Sequence, residues 1–211
     1  MNPDFRGKFI VLDGPDGCGK TTQQKLLSEW IAGQGAEVVC FRDPGTTPIG
    51  EQIRKILLDT ANAGMGDNVE VLLYMAARAQ LWKDCIGPAM EKGQCVLMDR
   101  WLSSTCAYQG YAGGFGVEKV VRIAEDALVR VWPDMTVILD VDVQTAAARM
   151  NRPLDRMEQK GVGYHQKVRE GFLRLCGRYE NIIRVDASQR PDEVQKHIRE
   201  AIMNCFGGKR K

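Results

Sequence analysis

The sequence predicts an α/β fold: a five-stranded parallel sheet with helices on both faces. Two observations carry this. Five short, continuously apolar runs recur along the chain, and each is followed by a stretch of helical periodicity. Strands that are apolar on both faces belong to parallel sheets enclosed between helix layers. Ligands of such sheets bind beyond the carboxyl ends of the strands. That rule directs attention to residues 13–20, 42–48, 99–110, 140–156 and 186–190.

The first run is Phe9-Ile10-Val11-Leu12. Leu26, Leu27, Trp30 and Ile31 then recur at helical spacing, and Gly33 and Gly35 end that helix. Val38-Val39-Cys40-Phe41 is the second strand, and Ile49, Ile53, Ile56 and Leu57 mark a short helix. Val69, Leu72, Leu73, Ala76 and Ala79 open a longer helix that runs to near Gly93. Cys95-Val96-Leu97-Met98 is the third strand. Val117, Val120, Val121, Ala124 and Leu128 give a helix broken at Pro133, before the fourth strand, Thr136-Val137-Ile138-Leu139. A helix over about 164–178 precedes the fifth strand at Ile182-Ile183, and a last helix opens at Pro191 with Val194, Ile198 and Ile202 on one face.

At 211 residues the chain fits one domain, 1–211. A net charge of +2 is too small to point to a nucleic-acid or membrane partner. Lys209-Arg210-Lys211, after a Gly pair, reads as a loose tail. The seven cysteines are odd in number and form no C-x-x-C pair, which argues against a zinc site or a disulfide framework. A reducing, cytoplasmic location is the simplest expectation. Phe9–Leu12 is too short for a signal-peptide core, and no apolar run nears the ~20 residues that span a bilayer.

Between the first strand and its helix lies Gly14-Pro15-Asp16-Gly17-Cys18-Gly19-Lys20-Thr21, which fits G-x-x-x-x-G-K-[ST]. The glycines let backbone N–H groups of Gly17, Cys18, Gly19 and their neighbours turn around a polyphosphate. Lys20 then reaches the β and γ phosphates, the Thr21 hydroxyl ligates Mg²⁺, and Thr22 continues the first helical turn. This motif names no reaction. GTPases, motors and small-molecule kinases all use it, although the N-K-x-D of a GTPase is absent.

Other residues gain meaning beside that cradle. Asp99 follows an apolar strand, as a carboxylate that holds Mg²⁺ directly or through water should. Arg100 is placed to meet phosphate oxygens, and Arg42 ends a strand at the same edge. Tyr74 and Arg78, four apart on a helix, share one face and could stack on and hydrogen-bond a base. The charged stretch holding Arg149, Arg152, Asp155, Arg156 and Glu158 contains Pro153 and precedes Gly161-Val162-Gly163. It reads as a mobile lid at about 149–163.

Five segments taken together resemble bacterial thymidylate kinases over nearly the whole chain. They are Asp13–Thr22; Arg42-Asp43-Pro44-Gly45 with Thr47–Glu51; Tyr74-Met75-Ala76-Ala77-Arg78; Asp99-Arg100 with Ser104 and Ala107-Tyr108-Gln109-Gly110; and Leu154-Asp155-Arg156-Met157-Glu158. The resemblance implies a P-loop nucleoside monophosphate kinase fold and transfer of the γ-phosphate of ATP to dTMP, with Mg²⁺, in a homodimer. It implies that Arg42 helps bind the acceptor phosphate, beside an Arg100 that could pair with phosphate oxygens of donor and acceptor, and that the Tyr74 ring and Arg78 meet thymine. It further implies that Asp16 accepts from the sugar 3′-OH, that Tyr108 fills the space of a ribose 2′-OH, and that Ser104 and Gln109 line the nucleoside pocket. The chain departs from the family at Asp43 (usually Glu), Thr46 (usually Gly), Tyr74 (usually Phe) and Trp101. Some relatives carry an arginine after the acidic residue of the P-loop. Gly17 stands there here, so the lid must supply the donor-side cation, from Arg149 or Arg152, with Arg156 paired to Asp155 or Glu158. Two alternatives stand beside this reading: a kinase for dUMP or a modified deoxyuridylate, and a nucleotide-dependent switch protein.

Overall fold

The computed structural model describes residues 3–207, so the Lys209–Lys211 tail lies outside the described residues. Its five strands are β1 (Phe9–Asp13), β2 (Val38–Arg42), β3 (Cys95–Asp99), β4 (Met135–Asp140) and β5 (Ile182–Asp186). They form one parallel sheet, as the sequence predicts, in the order β2-β3-β1-β4-β5.

Alternation along each strand builds two cores, one on each face. Phe9 and Val11 of β1, with Val96 and Met98 of β3, face one layer. Against them pack α3 (Asp67–Leu81) through Val71 and Met75, α6 (Val117–Ala127) through Val120 and Ala124, and α8 (Val162–Arg178) through Val168, Phe172 and Leu175. Ile10 and Leu12 face the other way with Leu97, Val137 and Leu139. There they meet α1 (Lys20–Gly33) through Leu27 and Ile31, and α9 (Pro191–Phe206) through Val194, Ile198 and Ile202. Each of these aliphatic side chains contributes ~1.5–3 kcal/mol on burial, which fixes the sheet register and hence the position of its edge.

The remaining elements refine the expectations. After α2 (Pro48–Leu58), the long helix does not run smoothly to Gly93. It passes from α3 through a π-helical turn, Trp82–Ile86, into α4 (Gly87–Glu91), where Pro88 sits in the first turn and needs no N–H partner. The helix at Val117 ends at Ala127 with Leu128 extended, well before Pro133. Two pieces were not foreseen. One is α5 (Leu102–Thr105), continued by a π-helical segment, Cys106–Ala112; the other is α7 (Val143–Ala148).

Every strand ends on a charged residue: Asp13, Arg42, Asp99, Asp140 and Asp186. Chain leaving β1 heads for β2, while chain leaving β4 heads for β5. The crevice where such paths diverge is where α/β sheets bind ligands, and here it opens at the P-loop.

Candidate active site

The P-loop is shaped by glycine conformations that other residues resist. Gly14, Gly17 and Gly19 have φ of +136°, +79° and +98°. A Cβ on Gly14 would sit 2.5 Å from the Leu139 carbonyl oxygen, and one on Gly17 would run into the Ala146 carbonyl of α7. The absence of an arginine at position 17 therefore has a steric reason: α7 packs directly on the loop. Gly14 is buried beneath it, whereas Gly17, Cys18, Gly19, Lys20, Thr21 and Thr22 line an open basin of about 1070 Å³. Lys20 Nζ donates to the carbonyls of Gly14 (3.2 Å) and Pro15 (2.9 Å). Arg42, Arg54, Asp99, Arg100, Arg149 and Arg152 line the same basin. Five arginine side chains beside Lys20 outnumber Asp16, Asp43, Glu51 and Asp99 in the lining and make this a net cationic concavity suited to polyphosphate.

Arg100 is the hub. Its φ of +70° is unusual for a residue with a side chain and turns that side chain back over the P-loop. Nη1 donates to the Gly14 carbonyl (2.9 Å) and Ser104 Oγ (2.8 Å), and Nη2 to Asp16 Oδ1 (2.5 Å). Asp13, buried at the end of β1, accepts from Ser103 Oγ and Ser104 Oγ at 2.6 Å each. It lies 3.3 Å from Arg100 and anchors the cluster from below. Asp16 also accepts from the Tyr108 hydroxyl at 2.7 Å. Burial favours its neutral acid, but the charges of Arg100 and Lys20 and the Tyr108 hydrogen bond outweigh that, so Asp16 stays ionised well below the usual carboxylate range. Burial and the Asp16 charge push the Tyr108 phenol well above its ordinary value, so it remains a donor.

A second, smaller cavity of about 80 Å³ adjoins the basin across Asp16, Arg54, Arg100 and Arg152. Tyr74, Arg78, Ser104, Tyr108 and Gln109 line it together, so the structure gathers residues from two segments that sequence alone grouped by resemblance. Arg78 does not project freely into it. Its side chain is 1% exposed, and Nε donates to Asp43 Oδ2 at 2.7 Å. Nη2 donates to the Trp101 carbonyl and to Thr105 Oγ1. Arg78 thus forms part of the cavity wall, and Asp43 is its buried counter-ion. Trp101 is wholly buried, edge-on to Phe9, with Nε1 donating to the Val131 carbonyl. Arg42 is half exposed and clamped by both carboxylate oxygens of Glu51, at 2.8 and 3.0 Å.

The lid arginines have three different settings. Arg149 lies just past α7 and donates to the carbonyls of Ala187 (2.9 Å) and Ser188 (3.3 Å). Arg152 is 54% exposed and pairs with both oxygens of Glu158. Arg156 pairs with neither Asp155 nor Glu158, contrary to expectation: it reaches Glu70 of α3 at 2.5 Å and donates to the Leu57 carbonyl at 2.7 Å. Arg152 takes Glu158 because its guanidinium lies on the open side of the lid, whereas Arg156 points inward. Sequence reasoning also missed Asp13, Arg54 and Glu70. Asp13 carried a signal, a carboxylate at a strand end; Arg54 and Glu70 are single charges within helical periodicity and carried none. Among the described residues, no cluster of three or more His, Cys, Asp or Glu could hold a metal by itself.

A family model described as thymidylate kinase matches residues 12–198. The chain belongs to the thymidylate kinase family. Curated thymidylate kinases resemble it along their full length. That of Caldanaerobacter subterraneus subsp. tengcongensis is 43% identical over 97% of this chain and 99% of its own. That of Symbiobacterium thermophilum is 44% identical over 92% of each. The crystal structure of thymidylate kinase from Ehrlichia chaffeensis superposes with a TM-score of 0.76 at 27% identity, covering 94% of this chain and 99% of that one. A thymidylate kinase is a phosphotransferase, and two adjoining compartments that share Arg100 are what a two-nucleotide reaction requires.

Proposed function

We propose that the basin holds ATP, that the smaller cavity holds dTMP, and that their phosphates meet at Arg100. The observation that carries this is Arg100 itself: it lines both compartments and is fixed to the P-loop through Asp16 and the Gly14 carbonyl. The reaction needs no side-chain base, because the second pKa of a phosphate monoester is near ~6 and its oxygen is already largely ionised at neutral pH. What the protein supplies is positive charge and alignment for two polyanions. Lys20 serves the donor phosphates, Arg42 and Arg100 the acceptor phosphate, and Arg54 lines both compartments. Ionised Asp16 accepts from the sugar 3′-OH, and Tyr108, held by Asp16 and backed by Phe172, closes the 2′ side.

Thr21 and Asp99 line the basin together, and Asp99 accepts no side-chain hydrogen bond among the described residues. A hydroxyl and one carboxylate, completed by phosphate oxygens and water, fit the oxygen shell of Mg²⁺. Held by Thr21 and Asp99, Mg²⁺ would supply charge neutralisation to the donor phosphates.

A homodimer is part of the proposal. Val69, Leu72, Ala76 and Ala79 form an exposed apolar row on α3, with Ile49 and Ile56 of neighbouring α2 also exposed. A cytoplasmic location fits seven free thiols. Among the described residues no helix is long and apolar enough to cross a membrane. The relatives do not favour a deoxyuridylate kinase or a nucleotide switch. ADP release with ATP and each of dTMP, dUMP, UMP, CMP and AMP tests the reading; dTMP is expected to give the highest kcat/KM, and turnover unaffected by any monophosphate would overturn it.

A further inference from the structure

Glu70 lies in the first turn of α3, on its buried face, with a side chain 3% exposed. An enclosed carboxylate needs partners, and it has Arg156 Nη2 at 2.5 Å on one oxygen. That contact is an ion pair lying off the hydrogen-bond direction. Its other oxygen accepts from Gln109 Nε2 at 2.6 Å, with Lys160 Nζ 4.0 Å away. The Gln109 bond has a consequence for the small cavity that Gln109 lines. A carboxylate only accepts, so the amide must turn its NH₂ to Glu70 and its oxygen the other way. Among the described residues that oxygen accepts no side-chain hydrogen bond.

We propose that Glu70 is a positioning residue for base selection: it locks the Gln109 amide so that the cavity presents an acceptor to the ring edge of the monophosphate. A 4-oxo pyrimidine carries an N3–H that satisfies this acceptor. A 4-amino pyrimidine carries a bare N3 lone pair, which opposes it. Arg156 holds the Glu70 carboxylate in place against the Gln109 amide. The proposal rests on the reading that the cavity holds the pyrimidine monophosphate.

The test is the ratio of kcat/KM for dTMP over dCMP in wild type and in Glu70→Gln. A neutral amide at position 70 can accept from or donate to Gln109, so the lock is lost. The ratio is expected to fall at least ~10-fold, through a higher KM for dTMP, with kcat at saturating dTMP nearly unchanged. Glu70→Asp, which retains an acceptor-only group, should recover part of the ratio. A folded Glu70→Gln enzyme with an unchanged ratio overturns the proposal. Should the variant fail to fold, the wild-type protein decides: N3-methyl-dTMP should bind at least ~100-fold more weakly than dTMP, and the side-chain NH₂ of Gln109 should show slow exchange by NMR. Equal binding of the methylated nucleotide, or a fast-exchanging amide, would equally overturn it. Failure of wild type to phosphorylate dTMP would instead sink the reading of the cavity, and that outcome is distinct from an unchanged ratio.

Discussion

Arg100 shows how a single residue ties the cradle to the acceptor side. Its left-handed backbone costs ~1–3 kcal/mol, offset by hydrogen bonds to Asp16, Ser104 and the Gly14 carbonyl. Arg100→Ala is expected to lower kcat far more than it raises the KM for dTMP, by steady-state kinetics, because its charge matters most as the phosphoryl group passes. Lys20→Ala should lose ~10²–10³-fold or more in kcat; near-normal turnover would end the P-loop assignment. Asp16 adds a pH dependence. Its folded pKa is depressed, so the unfolded chain binds the extra proton as pH falls. The stabilisation is complete above the ordinary carboxylate pKa and is lost as pH drops through and below it. Denaturant midpoints at pH 7 and pH 3 should therefore diverge more for wild type than for Asp16→Asn. Residues of the P-loop were legible in sequence because the cradle is one local turn. Asp43 with Arg78, and Glu70 with Arg156, were not, because each pair joins distant segments through the fold.

At the scale of elements, periodicity located α3 but did not separate its core face from its exposed one. Val69, Leu72, Ala76 and Ala79 lie at helical spacing, yet all four are exposed. The opposite face, buried, carries Glu70 and Arg78 beside Val71, Met75 and Leu81. Hydrophobic spacing alone cannot tell a core from an interface, because both exclude water by the same means. An inward face with two charges also looks solvent-exposed until their partners, Arg156 and Asp43, are in place. Leu72, 57% exposed, offers a direct test. If the row pairs two copies, Leu72→Glu should convert a dimer to a monomer in sedimentation equilibrium. In an isolated chain the same change should alter stability by no more than about 0.5 kcal/mol. The π-helical segment Cys106–Ala112 was missed for a related reason: Ala107-Tyr108-Gln109-Gly110 has a motif's composition and no helical period to mark it.

Across the whole molecule, the sheet holds the cradle and both cavities on one edge, and the proposed function calls for the 149–163 segment to close over them. The three lid arginines differ in freedom, and that decides their roles. Arg156 is held by Glu70 and the Leu57 carbonyl, and it stands as the lid's fixed attachment. Arg156→Ala would leave Glu70 enclosed with Lys160, 4.0 Å away, as its nearest cation, an expected loss of about 3 kcal/mol in unfolding free energy. Arg149 spans the carbonyls of Ala187 and Ser188 on the basin's far side, a setting suited to shaping that wall. Arg152 alone of the three borders both compartments; it is about half exposed and restrained by one side chain, Glu158. Glu158 would not be stranded if Arg152 left, since it also accepts from the Asp155 N–H at 3.0 Å. Exchange of Arg152 from Glu158 to the donor phosphates is therefore the movement expected on closure. A cation delivered to the transferred phosphoryl group is worth ~10³-fold or more in rate. Arg152→Ala should lose kcat on that scale while dTMP affinity, measured by calorimetry, changes little. Arg149→Ala should act mainly on the KM for ATP. Should Arg152→Ala keep its kcat while Arg149→Ala loses it, the two roles are reversed. If both keep it, the cation comes from Arg42, Arg54 or a partner subunit.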